Sequence, residues 1–394
     1  MGHSVARDCS PLTQQILQPW KKLSALTIAF TLPAMNSLLS LRARLGTVNQ
    51  RALPLLHWRR GPGRGGHRRI ETSRFSEPST RRNILSATRL AMVLVLLAWQ
   101  TGRTQDYFLF TSFRGNGEDG LHLMLSTNGY SWHPLKNDTS FLKPEIGAKI
   151  MRDPCLAIGP DSLFHIVWTS GWTAEKGKLI GYAESKDLQN WSDQRALEVM
   201  QNEPATRNIW APEIFYESDQ KRWLVYWSST IPGKFPESDA SGDDRYNHRA
   251  YYATTTNFAQ VSESRLLYDP GFNIIDGTIF QSGDQFYFFF KDEQKRPLKK
   301  NLRYAVAARP EGPYGQPNEP FTRNWVEGPS AIKINGEYLV YFDHYAQPQY
   351  YGAVRSKDLK TWVDCSREMS FPKGHRHGTV LRIPKKVTEE LQAN

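Results

Sequence analysis

Three acidic side chains lie in short motifs, and each motif precedes a strand-like run of aromatic and β-branched residues. They are Asp153 in Met151-Arg-Asp-Pro154, Asp276 in Ile275-Asp-Gly277 and Glu327 in Val326-Glu-Gly-Pro329. Asp-Pro and Asp-Gly pairs are common in turns, so one such motif alone would indicate only a turn. Three acids at corresponding places in successive segments instead favour a shared site.

The chemistry that such a set of carboxyl groups suits is the hydrolysis of a glycosidic bond. One carboxylic acid protonates the leaving oxygen, and a carboxylate activates a water molecule on the opposite face of the sugar. A third carboxylate can raise the pKa of the acid by like-charge repulsion and so keep it protonated near neutral pH.

Other side chains near these motifs are predicted to contact a sugar, because aromatic rings stack on its apolar faces and charged groups bond its hydroxyls. Taken singly, each belongs more often to a core or a loop. A reserve candidate for the base is Asp119, which a solvated turn explains better. The predicted contacts are Trp172, Trp210, Glu213, His248, Arg249, Lys291, Tyr345, His375 and His377.

A repeated turn motif indicates the elements that must position these residues. Ser185-Lys-Asp-Leu-Gln-Asn-Trp191 and Ser356-Lys-Asp-Leu-Lys-Thr-Trp362 are near copies, Ser126-Thr-Asn-Gly-Tyr-Ser-Trp132 is a looser copy, and Thr255-Thr-Asn-Phe258 is a fragment. Each follows a strand pattern, and Leu302–Ala307 leads into Gly312-Pro-Tyr314 at the corresponding place. Five small antiparallel sheets that cannot bury both faces alone predict a five-bladed β-propeller. A β-sandwich would not explain the repeated turn.

The ends of the repeat region predict how the ring closes. The first unit, Tyr107–Trp132, lacks a strand, and one strand, Gly378–Ile383, remains after Trp362. We therefore expect the last strand to complete the first blade, so that both ends of the domain close the propeller.

The positive charge of the chain is concentrated before the repeats. Residues 1–104 contain 16 Lys and Arg against three acids, whereas the rest of the chain has 34 basic and 36 acidic residues. A nearly neutral body offers no sign of a nucleic-acid-binding face. The three cysteines, Cys9, Cys155 and Cys365, are too few for a disulfide framework and are expected to be free thiols.

The composition also predicts how the chain is divided. Residues 1–80 lack periodicity and are predicted to be a disordered basic extension. Residues 81–105 combine arginines with the apolar run Leu90–Trp99, the pattern of a secretory signal peptide, and the true start is expected near Arg81 or Met92. The propeller is predicted over 106–384, followed by a polar tail, 385–394. We therefore expect a secreted or periplasmic protein that is monomeric and has no membrane contact beyond export.

The ordered set Arg-Asp-Pro, Trp-Ala-Pro-Glu, Ile-Asp, Glu-Gly-Pro and a late Gly-His resembles glycoside hydrolase family 43. The resemblance implies a five-bladed propeller and an inverting mechanism, with Asp153 as general base, Asp276 tuning the pKa and orienting the substrate, and Glu327 as general acid. It also implies that His375 or His377 lies near the propeller axis, where family members sometimes hold a structural calcium ion, and that no cofactor is required. Arg152 departs from the pattern, because family members often carry His there.

The resemblance leaves the sugar open, with an α-L-arabinofuranosidase acting on plant-type polysaccharides or oligosaccharides as the leading expectation. One alternative is a retaining fructosidase-like propeller, but the Asn-Asp-Pro and Glu-Cys motifs of those enzymes are missing. The other is a non-catalytic carbohydrate-binding propeller, against which the presence of all three acids argues.

Overall fold

The computed structural model describes residues 105–173, 176–242 and 246–393, which form five small antiparallel sheets arranged as a five-bladed β-propeller. The predicted fold is confirmed. Blade 1 contains β1 (Tyr107–Arg114), β2 (His122–Ser126), β3 (His133–Pro134), β19 (His375–Arg376) and β20 (Val380–Ile383). Blade 2 contains β4 (Arg152–Ile158), β5 (Phe164–Thr169), β6 (Ile180–Ser185) and β7 (Arg195–Leu197).

The other three blades follow in chain order. Blade 3 contains β8 (Trp210–Glu217), β9 (Arg222–Ser229), β10 (Arg249–Thr255) and β11 (Arg265–Tyr268). Blade 4 contains β12 (Ile274–Ser282), β13 (Gln285–Asp292) and β14 (Asn301–Ala307). Blade 5 contains β15 (Val326–Ile334), β16 (Glu337–His344), β17 (Tyr350–Ser356) and β18 (Val363–Asp364).

The ring closes as predicted, because strands from both ends of the domain share blade 1. β20 pairs antiparallel with β1, with Tyr107 opposite Ile383. β19 continues along β1 toward the site, with Phe113 opposite Arg376. The segment that was interpreted as a polar tail forms a helix, α1 (Lys385–Gln392). This helix packs on the domain, because its apolar Leu391 is buried in the core between the first two blades.

The repeated turns have one hydrogen-bonding pattern, which explains their sequence. The Ser185 hydroxyl accepts from the Leu188 N–H at 2.9 Å, and the Asp187 carboxylate accepts from the Asn190 N–H at 2.7 Å. Ser356 and Asp358 do the same at 2.9 and 2.7 Å. Trp132 is buried, and Trp191 and Trp362 pack on adjacent blade cores, as predicted.

The core consists of apolar clusters between neighbouring blades, rich in aromatic rings. Trp168, Trp227 and Phe288 are among the largest fully buried side chains. Cys155 and Cys365 are buried free thiols, as expected. The predicted disordered extension, signal peptide and start site, and Cys9, lie outside the described residues. Within the part of the chain that is described, no helix is long and apolar enough to cross a membrane.

Candidate active site

The first strand of each of blades 2 to 5 has an irregular register at the motif that was picked out in the sequence. The pairing of β4 shifts between Arg152 and Cys155, and the pairing of β12 shifts between Ile275 and Thr278. Asp153 and Asp276 sit at these shifts with φ of 52° and 55°, a left-handed conformation that Asp tolerates better than most residues. Such bulges re-aim a side chain, here out of the regular alternation of the strand.

The corresponding positions in blades 3 and 5 complete the comparison. Ala211 and Gly328 occupy the same bulge, with φ of 46° and 58°. Asp153 and Asp276 are themselves the bulge residues of their strands, whereas Glu327 lies one residue before the bulge residue of its strand, Gly328. The sequence shows the common motif, but this offset becomes visible only from the register.

These strands and their connecting loops line a cavity of about 330 Å³ that contains all three predicted catalytic residues. Its walls combine carboxylates, cations and indole rings, which suits a hydroxyl-rich ligand. The lining residues are Asn116, Arg152, Asp153, Thr169, Trp172, Trp210, Ile275, Asp276, Lys291, Glu293, Glu327 and His377.

Asp153 is held as a carboxylate by two donors. One oxygen lies 3.1 Å from His377 Nδ1, and the other accepts a hydrogen bond from the Thr169 hydroxyl at 2.8 Å. Burial opposes its ionisation, but the positive charge of His377 overcomes this and lowers the pKa of Asp153 to about 2. In turn, although burial opposes protonation, Asp153 raises the pKa of His377 to about 9.

Glu327 has a cation on each carboxylate oxygen. Lys291 Nζ donates to Oε2 at 3.0 Å, and Arg376 Nη2 donates to Oε1 at 2.8 Å. Burial favours the neutral acid, but Lys291 and then Arg376 outweigh it and lower the pKa of Glu327. In the unliganded protein Glu327 is therefore an acceptor rather than a proton donor.

Asp276 is the member of the set that keeps a proton near neutral pH. Burial and the adjacent charge of Glu327 raise its pKa to about 7, although His377 opposes them. One oxygen accepts from the Gly328 N–H at 3.3 Å, which links it to the Glu327 motif. The site thus contains one ionised carboxylate suited to a base, Asp153, and one carboxyl group, Asp276, that holds a proton near neutral pH next to the charge of Glu327.

The segment that closes the ring supplies a cationic partner to Asp153 and another to Glu327. His377 bonds Asp153, while Arg376 bonds Glu327 and, through Nε at 3.0 Å, Asp343. Gly328 allows the close approach of this segment, because a Cβ there would lie 2.4 Å from Cδ2 of His377.

The other predicted contact residues divide into two groups. Trp172, with 55% of its surface exposed, lines the cavity together with Trp210, Lys291 and His377. The remaining five are not among the residues that line the cavity: Glu213, His248, Arg249, Tyr345 and His375.

Three of these five side chains form hydrogen bonds or ion pairs with residues that do not line the cavity. Glu213 is 5% exposed and accepts from the Tyr226 hydroxyl at 2.7 Å, and its burial raises its pKa to about 7. Arg249 pairs with Asp269, and His375 accepts from or donates to Ser112 at 2.8 Å.

The two other residues of this group contact residues that line the cavity. His248 lies beside Trp210, with ring centroids 5.4 Å apart, and the Tyr345 ring lies 4.4 Å from Lys291 Nζ. The reserve candidate Asp119 bonds His122 at 2.9 Å and is not in the cavity lining.

Several residues of the site were missed in the sequence. Asn116, Thr169, Glu293 and Arg376 carry contacts there, and Glu293 lies 2.7 Å from Lys291. A signal existed for Glu293, in the Lys291-Asp-Glu293 strand end, and for Arg376, between the two predicted histidines. Asn116 and Thr169 stand in ordinary loop and strand contexts, which carry no such signal.

The described residues contain no group of three or more His, Cys, Asp or Glu side chains placed to hold a metal ion. The positive charges of Lys291, Arg376 and His377 already neutralise the carboxylates. A calcium ion near the axis therefore stays a prediction, without a ligand set to support it.

Residues 105–389 match the profile of a family described as a probable glycosyl hydrolase domain, related to glycoside hydrolase family 43. Because the match covers more than half of the chain, the chain belongs to this family.

One curated relative is an α-L-arabinofuranosidase of Bifidobacterium longum subsp. longum, 25% identical over 240 residues. That match covers 50% of this chain but only 22% of the relative, so the chain spans about a fifth of the relative's length.

Two solved structures have a similar chain course over part of their length. An α-L-arabinofuranosidase from Lactobacillus brevis is 20% identical, with 54% of this chain and 72% of that chain covered and a TM-score of 0.44. An exo-β-1,3-galactanase from Phanerochaete chrysosporium is 14% identical, with 58% and 53% covered and a TM-score of 0.44.

Proposed function

We propose that the chain hydrolyses glycosidic bonds with inversion at the anomeric carbon and releases terminal sugars from plant-type polysaccharides or oligosaccharides. The observation that carries the proposal is the pairing, in one cavity, of an ionised Asp153 with a carboxyl proton on the Asp276–Glu327 pair. A base and a proton source are the two groups that an inverting hydrolysis requires.

Asp153 is proposed as the general base. Its two oxygens are oriented by His377 and Thr169, and its low pKa keeps it ionised near neutral pH. It would accept a proton from the water that attacks the anomeric carbon as the bond to the leaving oxygen breaks.

Glu327 is proposed as the general acid, which requires that it gain the proton when substrate binds. Lys291 has a second carboxylate partner, Glu293, at 2.7 Å, so it can release Glu327 without losing ion pairing. Release by Lys291 would remove the largest of the charges that lower the pKa of Glu327, so that Glu327 can take the proton held by Asp276 and pass it to the leaving oxygen.

An α-L-arabinofuranosidase is the proposed activity within this class, supported by the curated relative of that name. The test measures release of reducing sugar from plant polysaccharides and from a panel of aryl glycosides, with residues 106–394 and with Glu327→Gln. Hydrolysis that the substitution abolishes on polysaccharides supports the proposal, and the substrate that responds names the sugar. A protein that binds polysaccharide columns but hydrolyses no member of the panel would be a binding propeller instead.

Export, a monomeric state and independence from added cofactors complete the proposal. N-terminal sequencing of the exported protein, its elution volume in gel filtration and its activity in the presence of a chelator test these three points. Loss of activity on chelation that calcium restores would support the predicted calcium ion.

A further inference from the structure

Arg152 differs from the other cations of the cavity in having no acidic partner. Lys291 bonds Glu327 and Glu293, and His377 bonds Asp153. Among the described residues, no carboxylate lies within ion-pair distance of the Arg152 guanidinium, although this side chain lines the cavity. It instead donates to Asn116, a neutral amide, at 2.8 Å.

The guanidinium is held in place by a ring and an amide rather than by a carboxylate. Its central carbon lies 5.0 Å from the centroid of the Phe113 ring, and the amide nitrogen of Asn116 is bonded to Glu118 at 3.0 Å, so the amide oxygen faces Arg152. The oxygens of Asp153 are taken by Thr169 and His377. Most of the five donors of Arg152 therefore have no partner in the described protein.

We propose that the substrate carries an acidic group, a uronic carboxylate or a sulfate ester, at or next to the hydrolysed sugar, and that Arg152 binds it. A planar guanidinium fits such an anion through two parallel hydrogen bonds, and a fixed cation in a partly buried site favours an anionic ligand over a neutral one. This inference deepens the proposed function and rests on it, because it concerns the same cavity.

The simplest competing role for Arg152 is electrostatic support of the neighbouring Asp153, to whose low pKa it contributes. That role would affect all substrates alike. Recognition of an acidic group would separate acidic from neutral substrates, so the ratio between the two distinguishes the roles.

The experiment measures binding by calorimetry in the Glu327→Gln background, which removes turnover. The ligands are uronic-acid-bearing oligosaccharides, their carboxyl-reduced counterparts and sulfated oligosaccharides of the same backbone. We expect the acidic ligands to bind at least about tenfold tighter than the reduced ones at low salt. Adding Arg152→Gln should abolish that ratio, Arg152→Lys should retain part of it, and Arg265→Gln, at an exposed site on β11, should leave it unchanged.

The preference between carboxylate and sulfate identifies the source of the anion. Equal binding of acidic and neutral ligands, no binding of any acidic ligand, or an unchanged ratio in Arg152→Gln would overturn the inference. Binding of acidic ligands without hydrolysis by the parent protein would refute the proposed function and leave the role of Arg152 standing. Thermal melting of each variant shows whether it is folded.

Discussion

His377 and Asp153 form a buried pair in which each side chain shifts the pKa of the other. The folded-state pKa of His377, about 9, lies above its ordinary value of about 6.5. The stability that it contributes is therefore complete below pH 6.5 and is lost as the pH rises through about 9.

Replacing His377 by Gln is expected to lower the free energy of unfolding by about 3 kcal/mol near pH 7, since it leaves the buried Asp153 without its cation. The variant should also lose the decrease in stability between pH 7 and 9. Urea unfolding at several pH values measures both effects. An unchanged pH dependence in the variant would mean that His377 is not the titrating group.

Asp276 should set the alkaline limit of activity. Its pKa of about 7 means that the carboxyl proton of the Asp276–Glu327 pair is lost as the pH rises through 7, so kcat/KM should fall about tenfold per pH unit above that point. In Asp276→Asn the like charge is gone, and the low pKa of Glu327 should move the limit to lower pH. A limit that stays near pH 7 in this variant would place the proton elsewhere.

Gly328 tests how closely the ring-closing segment must approach the acids. A Cβ at this position would meet the His377 ring at 2.4 Å, and we expect Gly328→Ala to lower kcat more than about 100-fold by displacing His377 from Asp153. Gly336→Ala is the matched control, because Gly336 also has positive φ but its Cβ would face open space. Equal losses of activity in both variants would attribute the effect to backbone conformation alone.

At the scale of the element, the repeated turns lie where the outer strands of blades 1, 2, 3 and 5 reverse direction. Ser185 is buried, accepts from the Leu188 N–H and donates to the Asn190 carbonyl at 2.6 Å. Ser185→Ala should therefore lower the free energy of unfolding by about 1–2 kcal/mol, as the loss of a buried cap does. The exposed Lys186→Ala in the same turn should change it little, and denaturant titration compares the two. Equal effects would remove the capping explanation.

The turns and strands could be predicted from the sequence because each carries a local signal. Ser-x-Asp-Leu places side-chain oxygens beside free N–H groups, and alternating aromatic runs mark strands. The bulges could not be predicted, since they depend on register with a neighbouring strand. For the same reason the offset of Glu327 from Asp276 was not foreseen.

The structure places side chains differently from the sequence-based expectation where partners distant in the chain hold them. Arg249 was expected to meet a sugar, but Asp269, 20 residues further along the chain, holds it in blade 3. Arg376 was overlooked, because its pairing with Glu327 joins residues 49 positions apart. The three acids were found because their motifs recur at the first strands of blades 2, 4 and 5.

At the scale of the whole molecule, closure of the ring and assembly of the site are one event. β19 and β20 complete blade 1, and the residues at and after β19 deliver Arg376 to Glu327 and His377 to Asp153. A chain whose last strands are unpaired would lack the cations that set the protonation of the acids.

The most direct test of the inverting mechanism follows the anomeric configuration of the first product by proton NMR during hydrolysis of a natural oligosaccharide. With Asp153 as general base, the released sugar should appear first as the anomer opposite to that of the bond cleaved, and Asp153→Asn should lower the rate at least about 1,000-fold. Initial release of the retained anomer would contradict it, because Asp153 or another carboxylate would then act as a nucleophile rather than as the base.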